Sequence, residues 1–169
     1  MSLVPRIVKG SASDLDSLEP LWVAVHRAHA ASMPELAPYV SDAETWAEHR
    51  ALYAQVFEKP DTVLLLAFDA EALIGYALGH VVAVEETWIS DTWRTGPRIA
   101  EVETLSVLPE YRGQGIGTAL MDALDREIAA LGIEDVIVGA LAGNEDALRL
   151  YRRRGFRPTW LYLSRFHGR

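Results

Sequence analysis

The chain has 169 residues, half of them hydrophobic, and no cysteine. That length and apolar content suit one domain with its own core and exclude a disordered chain, a disulfide framework, thiolate metal sites and a cysteine nucleophile. The formal net charge is −8, and Lys9 and Lys59 are the only lysines, which argues against a general nucleic-acid binder and suits a cationic small partner. No apolar run has membrane-spanning length, and the start, MSLVPR, lacks the apolar stretch of a secretory leader, so the expectation is a cytoplasmic protein without membrane contact.

RIVKG (residues 6–10) reads as a short strand. SASDLDSLEPLWVAVHRAHAA follows as a helix, with Ser13 and Asp16 spaced as a capping box and Leu15, Leu18, Trp22 and Val25 at helical intervals. Pro34 and Pro38 break it. SDAETWAEHRALYAQVFEKP starts a second helix, with Ser41 and Glu44 as its capping box and Pro60 as its stop. TVLLLAFD and LIGYALGHVVAV then read as two strands around the turn DAEA. EETWISDTWRTGPR reads as a loop or a long hairpin connection. IAEVETLSV is a further strand, in which period-two alternation puts Ile99, Glu101, Glu103, Leu105 and Val107 on one face. A helical stripe of Ile116, Ala119, Leu120, Ala123, Leu124 and Ile128 comes next and ends at Gly132. EDVIVGAL is a buried strand. NEDALRLYRRRG is a helix with Asn144 at its N-cap, acids in its first turn and arginines in its last. FRPTWLYLSRF is a final strand. The order predicts one α/β domain over residues 1–169, with a mixed sheet of six or seven strands flanked by about four helices and a right-handed crossover between residues 99 and 141.

YRGQGIG sets three glycines between the strand at 99–107 and the helix after it. A glycine-rich turn into a helix start makes an anion site, because the first helical N–H groups have no intrahelical partner and the helix dipole adds positive potential. Two familiar versions fail: Gly117 is followed by Thr118 and Ala119 rather than the Lys-Ser/Thr of a P-loop, and Thr118 and Leu120 stand where a dinucleotide fingerprint needs glycine.

VLPEYRGQGIGTALMDAL resembles motif A of the GNAT superfamily of acetyl-CoA-dependent N-acetyltransferases, whose Arg/Gln-x-x-Gly-x-Gly/Ala signature is matched by Arg112, Gly115 and Gly117. NEDALRLYRRRGF resembles motif B of the same family, with Asn144, Ala147, Tyr151, Gly155 and Phe156 in place. The two blocks cover about residues 99 to 157. The resemblance implies acetyl-CoA as co-substrate and a sheet splayed where it binds. Its pyrophosphate would lie on the backbone of Arg112, Gly113, Gln114, Gly115, Ile116, Gly117 and Thr118. Its pantetheine arm would pair with the strand edge at Leu105, Ser106 and Val107, with Asn144, Ala147 and Tyr151 along the other side. Tyr151 would donate a proton to the departing thiolate; packing against the sheet is the plainer alternative.

Acetyl transfer to an amine needs a base. Glu101 and Glu103 point to one face of the strand that meets the cofactor, and the resemblance implies a carboxylate or histidine base at these strand positions, often through water; two carboxylates there also repel, which raises one pKa, and a charged face turned to solvent or paired with arginine is the alternative. The histidines have no metal-ligand pattern, His26 and His29 included, so they read as surface or acceptor-pocket residues and no metal is expected. Arg152, Arg153 and Arg154 read as a helix C-terminal turn, one of them within reach of a CoA phosphate. Trp88 and Trp93 read either as walls of the acceptor pocket or as local packing anchors. Taken together, the sequence points to direct acetyl transfer to a primary amine, a cationic small molecule or a protein N-terminus. A silent acyl-CoA sensor and a longer-chain acyltransferase stay open. Exposed tryptophans and edge strands suit a homodimer.

Overall fold

A computed structural model describes residues 3–167. Met1, Ser2, Gly168 and Arg169, which belong to the leader and domain-limit expectations, lie outside the described residues. Five strands form one sheet in the order β1–β2–β3–β4–β5: β1 (Arg6–Lys9), β2 (Val63–Asp69), β3 (Ala72–Ala83), β4 (Arg98–Val107) and β5 (Val136–Val138). The first four pair antiparallel and β5 joins β4 in parallel, which makes the sheet mixed. No helix among the described residues is long and apolar enough to cross a membrane.

Period-two alternation in β2 and β3 splits the core in two. Leu64, Leu66, Tyr76 and Leu78 face one side, where Leu15, Leu18, Leu21, Trp46 and Tyr53 cover them. These come from a 3₁₀ turn at Ala12–Leu18, from helix α1 (Glu19–Ser32) and from helix α2 (Asp42–Phe57). Leu65, Ala67, Ile74 and Ala77 face the other side, under helix α3 (Ile116–Ala130) and Tyr151 of helix α4 (Glu145–Arg153). Each fully buried leucine on these faces stabilises the fold by about 1.5–3 kcal/mol.

The Ser41 capping box is present, with the Ser41 N–H donating to Glu44 at 2.9 Å. The first box lies two residues earlier than expected, at Ser11 and Asp14, because the segment it opens is the 3₁₀ turn. Asp16 instead meets Arg50 of α2 at 2.6 Å.

Two strand expectations are corrected. EDVIVGAL contracts to Val136–Val138, and no strand forms among the described residues after α4, so the sheet has five strands rather than six or seven. FRPTWLYLSRF alternates like a strand but finds no neighbour. Pro158 lacks a donor, Trp160 rests 5.4 Å from Trp88, and Leu161, Tyr162 and Leu163 stay exposed. A strand without a ladder leaves its backbone to water.

The third correction fixes the site. The β3–β4 register shifts between Leu78 and Gly79: Leu78 pairs with Thr104 and Gly79 with Val102, which leaves Glu103 as the extra residue of a β-bulge. The alternation of β4 therefore breaks in its middle. Leu105 and Val107 pack in the α3-side core, whereas Thr104 bonds Tyr53 of α2 and Glu101 and Glu103 meet His80. The five alternate residues do not share a face.

Candidate active site

At the end of β4 the chain makes a 3₁₀ turn, Pro109–Tyr111, and enters the glycine loop. Two side chains brace it. Arg112 Nε donates to the Val107 carbonyl at 3.0 Å and Gln114 Nε2 donates to the Glu110 carbonyl at 3.1 Å. Gly113 and Gly115 take φ of 75° and 84°, in the left-handed region that disfavours side chains, and a β-carbon at either would meet nothing within 4 Å. The loop is thus open on its outer side. Gly115 is the N-cap of α3 and supplies no side-chain cap, and the first intrahelical bond runs from Ala119 N–H to the Gly115 carbonyl. The N–H groups of Ile116, Gly117 and Thr118 therefore lack intrahelical acceptors and carry the positive end of the helix dipole.

The sheet opens beside this loop. β5 pairs with β4 only at Ala100, Glu101 and Val102, so the β4 edge from 103 to 107 has no strand against it. An amide-bearing chain can add there, and a pyrophosphate fits the α3 start. Ser106 is turned away from that edge: its hydroxyl donates to the Leu21 carbonyl of α1, and its own carbonyl stands toward Gly75 of β3. That leaves Leu105 and Val107 as the edge positions.

α4 closes the far side. Asn144 Oδ1 accepts from the Ala147 N–H at 3.2 Å, so this side chain is a helix cap. Leu150 would touch a β-carbon on Gly117 at 3.8 Å, which packs α4 against the α3 entrance. Tyr151 is buried against Phe156, with ring centroids 5.7 Å apart, and burial pushes its hydroxyl up to about 12. It stays protonated at neutral pH, as a proton donor must. The arginines form the C-terminal turn of α4, as expected, and Arg154 at its C-cap is engaged with Asp122 and Asp125 of α3 at 2.8 and 2.5 Å. Arg152 and Arg153 are exposed.

The carboxylates lie on the opposite side of the sheet from Tyr151. His80 of β3, 5% exposed, pairs in register with Glu101. Its Nε2 is 3.4 Å from Glu103 Oε2 and 3.7 Å from Glu101 Oε2. Burial and the neighbouring Glu103 charge raise the Glu101 pKa, and the hydrogen bond from His80 lowers that of Glu103. The three donor atoms lie within 4.8 Å of one another, a convergence that the His80–Glu103 hydrogen bond accounts for.

An aromatic wall from the helices stands over this trio. His49 stacks on Trp22 with centroids 3.3 Å apart and meets Tyr53 edge-on; its Nε2 is buried without a partner, and burial lowers its pKa to about 4. Burial also lowers His29, with help from His26. Trp88 and Trp93 pack edge-on and line a groove with Ile99, Asp135 and Val136, at the end of β4 away from the glycine loop, and Trp160 rests on Trp88. His80 and His49 read from the sequence only as surface or acceptor-pocket residues, without their part beside the carboxylates, and Tyr53 was not singled out. A lone histidine inside the apolar run LIGYALGHVVAV was the available signal for His80.

Residues 22–156 match the acetyltransferase (GNAT) family. The mycothiol acetyltransferase of Propionibacterium freudenreichii is 31% identical over 143 residues, covering 85% of this chain and 40% of its own length. That of Pseudarthrobacter chlorophenolicus is 33% identical, over 82% of this chain and 39% of its own. The chain thus spans about two fifths of the length of these curated relatives. Among solved structures, Arabidopsis thaliana NAA60 in complex with acetyl-CoA is 25% identical, with a TM-score of 0.66 over 93% of this chain and 86% of that one. A GCN5-related N-acetyltransferase from Ralstonia eutropha shares the fold at a TM-score of 0.74 and 19% identity, over 98% of this chain and 100% of that one.

Proposed function

This chain belongs to the GNAT family of acetyltransferases, and from that premise we propose that it moves an acetyl group from acetyl-CoA to a primary amine by direct attack. One observation carries the reading: the bulge at Glu103 sets two half-buried carboxylates beside the unpaired β4 edge that begins at the same residue. Bound acetyl-CoA supplies the activated acetyl group as a thioester.

The protein's own contributions follow from position. The Ile116, Gly117 and Thr118 N–H groups hold the pyrophosphate, and the Leu105 and Val107 backbone orients the amide arm. An acceptor arriving as an ammonium gives one proton to the Glu101–Glu103 pair, breaking an N–H bond and forming an O–H bond on a carboxylate. A carboxylate raised toward neutrality suits this step, because a base works best with a pKa near the working pH. The freed amine nitrogen then bonds the acetyl carbon as the C–S bond breaks, Tyr151 gives its hydroxyl proton to the departing sulfur from the α4 side, and the second proton shed by the acylated nitrogen restores that hydroxyl through solvent.

The acceptor is a cationic small molecule or a protein N-terminus. An ammonium is attracted by the carboxylate pair, and the net charge of −8 favours its approach. Glu85, Glu86 and Asp91, all exposed, extend that field along the loop before β4. The exposed run Leu161–Leu163 suits a homodimer, which light scattering checks. The test of the activity is CoA release with acetyl-CoA and a panel comprising spermidine, kanamycin, an amino-acid amide and a peptide with a free N-terminus. Turnover of the cationic amines should fall as salt rises. No CoA release above background with any amine overturns the reading.

A further inference from the structure

We propose that His80 is a positioning residue: by donating to Glu103 it keeps that carboxylate anionic and directs the acceptor's proton to Glu101. The inference rests on the reading of the carboxylate pair as the base and decides between its two members.

The backbone builds the arrangement. His80 stands opposite Glu101 in the β3–β4 ladder, and the bulge turns Glu103 to the same side. The ring therefore lies between two carboxylates and reaches them unequally. Nε2 is within hydrogen-bond range of Glu103, at 3.4 Å, and beyond it from Glu101, at 3.7 Å. The other ring nitrogen, Nδ1, is buried and faces no partner. A proton on Nδ1 would be a buried donor without an acceptor, so the tautomer that leaves no N–H unpaired carries its proton on Nε2, aimed at Glu103.

Access makes the same distinction. The Glu101 side chain is 37% exposed and that of Glu103 17%. Glu101 is the member an incoming ammonium can touch, and it lacks the ring's hydrogen bond. Glu103, anionic and adjacent, repels a second negative charge and so favours the proton on Glu101. The other groups acting on the pair are His49 of α2, Lys59 after α2, and the hydroxyls of Tyr53 and Tyr76. Lys59 favours the charged form of both carboxylates, and His49 favours that of Glu103 only once its own ring is protonated, near pH 4. The tyrosines stay protonated. None of them bonds either carboxylate among the described residues, so the asymmetry belongs to His80.

The experiment needs no acceptor. Carboxyl NMR of the protein labelled with ¹³C at glutamate, with the two signals assigned from Glu101→Gln and Glu103→Gln, follows both titrations. Glu103 should titrate below Glu101 in the native protein. His80→Phe should move Glu103 upward by about one pH unit, equal to a tenfold change in proton affinity. His80→Gln, whose amide can donate from nearly the same place, should restore much of the order. Thermal melting shows that each variant is folded. Glu103 titrating above Glu101, or both signals unmoved in folded His80→Phe, overturns the proposal. Kinetics separate its failure from that of the base reading. If Glu101→Gln and Glu103→Gln both keep native turnover with an amine the protein acetylates, neither carboxylate is the base. If Glu103→Gln alone abolishes turnover, the base reading stands and the assignment to Glu101 fails.

Discussion

The Tyr53 hydroxyl donates to Thr104, the residue beside the bulge at Glu103, and so ties α2 to β4 where the carboxylate pair begins. Tyr53 also hydrogen-bonds Tyr76 at 2.8 Å, and all three groups are buried. One side chain therefore fixes both the aromatic wall of the site and the strand that carries its base. Tyr53→Phe should keep the ring packing and lose the hydroxyl that donates to Thr104 and accepts from Tyr76. Urea unfolding should show a loss of about 1–3 kcal/mol, the usual cost of stranding buried hydroxyls. Unchanged stability would show that Thr104 and Tyr76 satisfy each other without it.

His49 makes the fold sensitive to acid. It is held neutral to about 4, while an unfolded histidine protonates near 6.5. Between these values the unfolded chain binds more protons, so stability falls as pH drops through that window and is fully present above it. His49→Phe keeps a ring against Trp22 and removes the titration. Denaturant midpoints measured from pH 7 to pH 4 should decline less in the variant than in the native protein. Equal declines would assign the acid sensitivity to other groups.

The glycine loop separates backbone strain from ligand approach. Gly115→Val places a side chain at φ 84° on the open face and should weaken acetyl-CoA binding tenfold or more, about 1.4 kcal/mol. Gly117→Ala meets Leu150, Leu105 and Val107 only at 3.8–3.9 Å, ordinary contact, and should leave the fold intact. Calorimetry on both variants checks this. Native affinity in a folded Gly115→Val protein would remove the pyrophosphate from this loop.

Tyr151→Phe deletes a hydroxyl and retains the contact with Phe156. Turnover should fall while acetyl-CoA affinity stays near native, because only the proton for the leaving sulfur is lost. A variant with full turnover on a substrate limited by chemistry would return Tyr151 to a packing role.

The glycine loop, the Ser41 capping box and the Asn144 cap were legible because each is a local rule written in a few adjacent residues. The bulge was not. It depends on how β3 and β4 pair across Gly79 and Val102, and alternation within β4 alone puts Glu103 and Leu105 on one face when they belong to different sides. His80 escaped for the same reason, since its meaning lies in the strand opposite. The helix-end place of Arg154 was legible, but its pairing with Asp122 and Asp125 was not, since α3 brings those from elsewhere in the chain. FRPTWLYLSRF shows the converse: its alternation is sound, and the neighbour a strand requires is missing.

The most direct measurement is mass spectrometry of an amine, spermidine first and then the rest of the panel, incubated with acetyl-CoA and either the native protein or the Glu101→Gln/Glu103→Gln double variant. The account predicts an amine heavier by one acetyl group with the native protein, and a rate lower by about 10² or more with a double variant that still binds acetyl-CoA. Equal product formation by the two proteins, at the same pH dependence, would contradict it.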